Sequence, residues 1–346
     1  MLTTAGPLCS TIGVKSGNPV PVLASGAATV VRNGVAYALY FTLPLYGEVT
    51  GEVTRAGSNL ATVEGGRRLR VLPKGAKVNF SGSHTVVLEP AQPAGTGVPA
   101  GAGWARASIQ AKGAIAMVGK LGDGTAFTTS LLPDAEELPG YRLWVQPYQP
   151  ARVETFLGGS FAVRRNQLGS GGFVADGVPL TWVKAERPAD KSYPLGFVPV
   201  AVGMTMDAWV KPTASTPLSG LLDLSSDMIM VQHSLIGSAS DGDLPTTVKL
   251  ISPNVIGLSG MNNPTKWKSK FNPANGTFTG SFELMDAGVR RLALFSGVLR
   301  QPREVNDKMI GDGHFILPKL PGAVEKVTGE ILFLRPGISG GARWRE

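Results

Sequence analysis

Laid over itself with a shift of 163 residues, the sequence pairs Pro90 with Pro253, Trp104 with Trp267, Gly113 with Gly276, Leu121 with Leu284, Asp123 with Asp286 and Leu131 with Leu294. Just upstream, Thr85-Val86-Val87-Leu88 matches Thr247-Val248-Lys249-Leu250 at a shift shorter by one. Self-similarity at a fixed offset means that one supersecondary unit is built twice. Each copy reads as strand, glycine turn, strand, aspartate turn, strand. The turns are Lys112-Gly113 and Asp123-Gly124 in one copy, and Asn275-Gly276 and Asp286-Ala287-Gly288 in the other. Asn-Gly and Asp-Gly supply the positive φ that a tight hairpin needs, so the unit is a three-stranded meander, with Gly113 and Gly276 predicted at positive φ. Trp104 and Trp267 hold equivalent places and are expected to serve as the same core plug or strand-end staple in both copies. Residues 141–145 and 314–317 continue each copy with an apolar strand, and 159–163 resembles 329–333. The second copy carries a longer insert, about 301–313, whose polar and charged composition predicts a solvated loop.

Elsewhere the pattern also favours strands. Short alternating runs closed by Gly, Asn-Gly or Asp-Gly lie within 29–42, 49–61, 68–80, 85–88, 105–110, 114–121 and 125–131. No window offers three clean helical turns; the best helix candidate, 134–138 after Pro133, is one turn long. The 45 Gly and 26 Pro among 346 residues exclude a long-helix or coiled-coil protein, and a hydrophobic fraction of 43% excludes an intrinsically disordered chain. The predicted class is therefore all-β: two tandem, internally duplicated antiparallel β-barrel or β-sandwich domains built on three-stranded meanders. The boundaries are drawn as a leader or linker over 1–17, a first domain over 18–178, a second over 179–334 and a tail over 335–346. The inner boundary falls just past the glycine-rich stretch GSGGF.

A single cysteine, Cys9, rules out an intrachain disulfide. The opening MLTTAGPLCSTIG has no basic n-region and no apolar h-region, so the chain is expected either to stay unexported or to be part of a longer polypeptide. The longest apolar stretch, 35–46, is interrupted by Thr42 and Pro44 and falls short of the roughly 20 residues of a membrane helix. The net charge of +8 comes from 33 Lys and Arg against 25 Asp and Glu. It is spread out, with short clusters at Arg67, Arg68 and Arg70, at Lys266, Lys268 and Lys270, and at Arg335, Arg343 and Arg345. Spacing by two puts such charges on one face of a strand, where they serve solubility and edge protection. Binding of a polysaccharide or an anionic cell-surface polymer is the alternative, and no nucleic acid partner is expected.

Residues that carry chemistry are scattered. His84, His233 and His314 lie far apart, and only His314 has a carboxylate near it, Asp312. Gly337-Ile338-Ser339-Gly340-Gly341 matches a nucleophile elbow in letters, but the elbow needs a following helix and a later His, and the last His lies upstream. Asp241-Gly242-Asp243 reads as a turn because a calcium loop needs six to eight oxygens. Asp134, Glu136 and Glu137 read as a solvated turn, since no second acid pairs with them at a predicted strand end. The glycine-rich 95–101 lacks the Lys-Ser/Thr of a phosphate loop. No catalytic, metal or cofactor-binding residue is therefore assigned, and no cofactor is expected. The residues singled out are structural turns and staples: Trp104, Gly113, Asp123, Trp267, Gly276 and Asp286. Tyr37, Tyr40, Tyr46, Trp144, Tyr148, Trp182 and Trp209 do not repeat between the copies, and one or two of them could form a flat, exposed sugar platform.

The run from Gly119 to Thr128 (GKLGDGTAFT), Leu180-Thr181-Trp182 followed by Tyr193-Pro194-Leu195-Gly196-Phe197, and Gly276-Thr277-Phe278-Thr279-Gly280-Ser281-Phe282 with Phe295-Ser296-Gly297-Val298-Leu299 resemble a duplicated β domain. That domain is found in C-terminal regions of large predicted exported proteins of Verrucomicrobia and related bacteria. The resemblance covers roughly residues 80–334 and carries no established activity. It implies an exported setting, extracellular or at the cell surface. With no catalytic constellation in the sequence, the expected function is that of a non-catalytic module of an exported or surface bacterial protein, in adhesion, display or structural attachment. A carbohydrate-binding or enzyme-accessory module is the alternative, and a hydrolase comes third.

Overall fold

Next-neighbour antiparallel pairing organises almost every element, as expected of a chain of short alternating runs separated by tight turns. The computed structural model describes residues 24–32, 34–43, 49–65, 75, 77–91, 98–133, 140–148, 155–165, 173–176, 179–190, 192–222, 224, 228–234, 246–252, 255–258, 263, 265–286, 288–301, 309–317 and 327–334. The strands fall into three sheets, and the protein is all-β apart from one short helix among the described residues.

The first sheet is a four-stranded meander of β1 (Ala24–Arg32), β2 (Val35–Leu43), β3 (Val49–Arg55) and β4 (Ser58–Gly65). The second has nine strands: β5 (Gly82–Pro90), β6 (Gly103–Ile109), β7 (Ile115–Lys120), β8 (Ala126–Leu131), β9 (Gly140–Val145), β10 (Phe156–Arg165), β11 (Phe173–Asp176), β12 (Leu180–Lys184) and β13 (Phe197–Ala208). It curls on itself: β13 pairs with β5, β9 pairs with β10, and β8 lies beside β9. After the helix α1 (Leu218–Leu221), a third sheet holds β14 (Met228–Ser234), β15 (Thr246–Ser252), β16 (Val255–Leu258), β17 (Lys268–Asn272), β18 (Thr277–Asp286), β19 (Val289–Leu299), β20 (Met309–Leu317) and β21 (Val327–Leu334). These eight strands form a nearly closed barrel, with β21 paired to β14 and the Ser269 hydroxyl of β17 donating to the Ile256 carbonyl of β16 at 3.3 Å.

Alternation decides what goes inside. Along β6, Gly103, Ala105, Ala107 and Ile109 are buried while Arg106 and Ser108 face out; along β7, Ile115 and Met117 are buried and Ala116 and Val118 are exposed. The inward set joins Tyr141, Leu157, Trp182, Val202 and Met206 in the core of the nine-stranded sheet. The barrel has its own core around Trp267, Phe278, Phe282, Phe295 and Phe315. The two meanders read from the sequence are β6-β7-β8 and β17-β18-β19, and Gly113 and Gly276 turn at φ of +85° and +74°.

The boundaries differ from expectation. Residues 24–65 form their own sheet, and β12 and β13, placed by sequence in a second domain beginning at 179, pair with β10 and β5 of the nine-stranded sheet. The boundary drawn just past the glycine-rich stretch falls within one sheet, because β11 before it and β12 after it both pair with β10. The insert read as a solvated loop is strand β20 from Met309 onward, with Ile310 and Asp312 buried. Within the run 68–80, residues 77–80 are not strand. The leader 1–17, the tail 335–346 and the helix candidate 134–138 lie outside the described residues. No helix among the described residues is long and apolar enough to cross a membrane.

Candidate functional site

Among the described residues, a dense set of interacting polar side chains lies inside the nine-stranded sheet. The β7–β8 turn is tied by Gly124 N to the Leu121 carbonyl at 2.8 Å and by Thr125 N to Asp123 Oδ1 at 2.9 Å, an aspartate bonding its own backbone two residues on. The other oxygen, Asp123 Oδ2, accepts from the Tyr148 hydroxyl at 2.7 Å and from Lys184 Nζ at 3.1 Å. Lys184 ends β12, where the alternation that buries Leu180 and Trp182 also turns its side chain inward, leaving it 2% exposed. Its ammonium has three N–H donors and three acceptors: Asp123 Oδ2, the Ser192 carbonyl at 2.7 Å and Asp190 Oδ2 at 3.1 Å. Trp182 Nε1 donates to the Tyr148 hydroxyl at 3.2 Å, and Arg187 Nε pairs with Asp190 at 3.2 Å. Burial, reinforced by the charge of Asp123, pushes the Tyr148 phenol well above its ordinary range, so it stays a donor. The set closes on itself and works as a lock between a turn, a strand and a loop.

A second polar set lies where the nine-stranded sheet meets the barrel, and both contribute outward faces. Val87 and Ala102 on one side and Val298 on the other form a small apolar cluster against which Trp104 packs. Around it Trp104 Nε1 donates to Ser296 Oγ at 3.0 Å, and Trp209 Nε1 to the Pro273 carbonyl at 3.0 Å. Arg300 Nε pairs with Asp207 Oδ2 at 2.8 Å, and Gln301 exchanges two bonds with the backbone of Val210. His314 Nδ1 lies 3.1 Å from the Ala102 carbonyl; a carbonyl only accepts, so this nitrogen carries the proton. Burial lowers the His314 pKa to about 4, helped by the charge of Lys120 and opposed by the bond to Ala102 and the charge of Asp123. Burial also lowers His84, against its bond to the Gly82 carbonyl and the charge of Asp207. Both rings are neutral near pH 7.

The residues singled out by sequence land in unlike places. Trp267 is inside the barrel, stacked on Phe295 with ring centroids 4.5 Å apart, whereas Trp104 is on the seam outside the nine-stranded sheet. The shared plug is therefore corrected. Trp104 sits within β6 at an outward phase, while Trp267 precedes β17 and is pinned by Asn263, whose Oδ1 accepts from Trp267 N at 2.6 Å. The same shift aligns β5 with β15 and β6 with β17, yet β5 pairs directly with β6 whereas β16 stands between β15 and β17.

Asp123 is a turn residue as read and also the hub of the buried lock. Asp286 ends β18 opposite Val289, and its side chain lies outside the described residues, as does that of His233. His84 is a buried member of β5, and His314 sits well inside β20 rather than opening the strand read over 314–317. The motifs at 134–137, 241–243 and 337–341 and the start of the glycine-rich 95–101 also lie outside the described residues. Among the described residues no group of three or more His, Cys, Asp or Glu is placed to hold a metal ion. Sequence reading missed Tyr148, Lys184 and Asp190 as a set; the detectable signal was a lysine in phase with Leu180 and Trp182. No protein-family model matches the chain, and neither the curated proteins nor the solved structures give a match.

Proposed function

We propose that the chain is a non-catalytic β module of an exported or surface bacterial protein, serving adhesion, display or structural attachment. The observation that carries this reading is the closure of the Asp123–Tyr148–Lys184 set: all three N–H donors of the buried ammonium have acceptors, and the phenol is kept protonated. A general base or nucleophile needs a group poised to take a proton or attack a substrate, and these groups are spent on one another. The docking of the two larger sheets through Trp104, Arg300 and His314 supports the same reading, since a stiff double unit suits a load-bearing or display role. The resemblance to the duplicated domain of Verrucomicrobia supplies the exported setting. A duplication origin draws support from the meanders β6-β7-β8 and β17-β18-β19, which the shift of 163 residues lays over one another. A panel of glycoside, ester and peptide substrates is the test. No turnover is the expected outcome; turnover abolished by Asp123→Asn or Lys184→Met would overturn the proposal.

A further inference from the structure

The wall of the nine-stranded sheet formed by β9 and β10 carries an aromatic ring laid flat and open on one side. Trp144 points outward from β9, with Leu143 and Val145 on either side of it turned into the core. Its indole stacks on Phe156 with centroids 4.4 Å apart and planes 17° from parallel. Phe156 is almost completely buried, whereas Trp144 is 46% exposed, so one indole face covers Phe156 and the other meets solvent. The ring lies down because its cross-strand partner is Gly158: a Cβ there would come within 2.8 Å of the indole. Across the same row β12 offers Thr181, an exposed small side chain paired with Gly158. One repeat along the strands, about 7 Å away, Arg142 Nη1 donates to the exposed Ser160 hydroxyl at 3.3 Å. The surface is thus a flat π face set among small side chains, flanked by a guanidinium and two hydroxyls.

That combination has a specific chemical complement. A pyranose ring presents a patch of axial C–H bonds on one face and hydroxyls around its edge; the C–H patch is attracted to the negative face of an indole, and the rim groups exchange hydrogen bonds with side chains such as Ser, Thr and Arg. A peptide strand would need an unpaired sheet edge, and β9 and β10 are paired with each other along this wall. We propose that Trp144, flanked by Arg142, Ser160 and Thr181, is a binding platform for pyranose units of a polysaccharide. The assignment rests on the reading of the chain as a non-catalytic attachment module and names the ligand class that attachment would use.

Electrophoresis of the full chain through gels containing alginate, pectate, xylan or mixed-linkage β-glucan tests the platform, with melting temperature as the control for folding. Trp144→Leu keeps an apolar cover over Phe156 but removes the flat π face, and Trp144→Tyr keeps a flat face. The expected result is retardation by at least one polymer, weakened about tenfold in Trp144→Leu and largely retained in Trp144→Tyr, with both variants folded. Absence of retardation by all four polymers, or retardation unchanged in Trp144→Leu, would overturn the platform. So would a dimer in sedimentation that Trp144→Leu dissolves, because the indole would then face a second copy. Each of these failures leaves the non-catalytic reading standing, whereas hydrolysis of the bound polymer would sink that reading and leave the platform intact.

Discussion

The nine-stranded sheet and the eight-stranded barrel both hold a three-stranded antiparallel meander, β6-β7-β8 in one and β17-β18-β19 in the other, but are held together inside by different chemistry. The barrel core is built on an aromatic cluster, with Trp267, Phe282 and Phe295 in one stack and Phe315 set edge-on to Phe282, and a charged side chain, Arg291, is buried in phase with Ala293 and Phe295 on β19. The nine-stranded sheet adds to its apolar core a buried ion pair, Asp123–Lys184, with a tyrosine and a tryptophan bonded to it. Apolar packing tolerates exchange of one shape for another, whereas a buried charge requires its particular partner. The two sheets should therefore fail differently when a core residue is removed.

The largest expected effect tests that difference directly. Lys184→Met leaves the Asp123 carboxylate buried without its cation and should cost about 3–5 kcal/mol. Adding Asp123→Asn removes the stranded charge and should recover most of the loss. Phe295→Ala in the barrel should cost a similar amount, about 3–5 kcal/mol, through the cavity it leaves, with no single polar substitution able to repair it. Denaturant unfolding of the three variants measures both, and a Lys184→Met loss that Asp123→Asn fails to relieve would break the comparison.

The seam between the two sheets gives the next effect. His314 is held neutral, with a folded pKa of about 4 against 6.5 when unfolded, so the unfolded chain binds the extra proton first as pH falls. Its contribution is intact above pH 6.5 and is lost as the pH drops from 6.5 towards 4, by about 3 kcal/mol in all. His84 is shifted in the same direction and adds to the slope. Melting temperature against pH for the wild type and His314→Asn isolates the histidine: the variant should show the flatter curve, and parallel curves would mean that the seam carries no such dependence.

The smallest effect compares the two glycine turns. Gly113→Val and Gly276→Val both place a β-branched residue at positive φ, which costs about 1–3 kcal/mol. A Cβ on Gly276 would also come within 2.8 Å of Thr85 and Trp209 of the neighbouring sheet, while one on Gly113 would meet nothing closer than 3.2 Å. Gly276→Val should therefore lower the melting temperature more than Gly113→Val. Equal shifts would mean that the turn alone, and not the seam, sets the cost.

Local order was decided by the sequence. Alternation by two marked strands such as β6 and β7, and the glycines at 113 and 276 marked hairpins, because both signals act between residues adjacent in the chain or across a tight turn. Phase also carried information: Leu180, Trp182 and Lys184 fall on one face, which is enough to send a lysine inward. The partner of that lysine was decided by tertiary structure. Asp123 comes from a turn 61 residues earlier, and pairing the two requires β12 to return beside β10 and β13 to close on β5. The boundary drawn between β11 and β12 likewise missed that both strands pair with β10. Trp104 and Trp267 illustrate the remaining gap: the same residue type at a fixed repeat spacing ended on a seam in one case and in a core in the other. Strand phase and sheet docking fix which way a side chain faces, and docking is a property of two surfaces that no single run of residues contains.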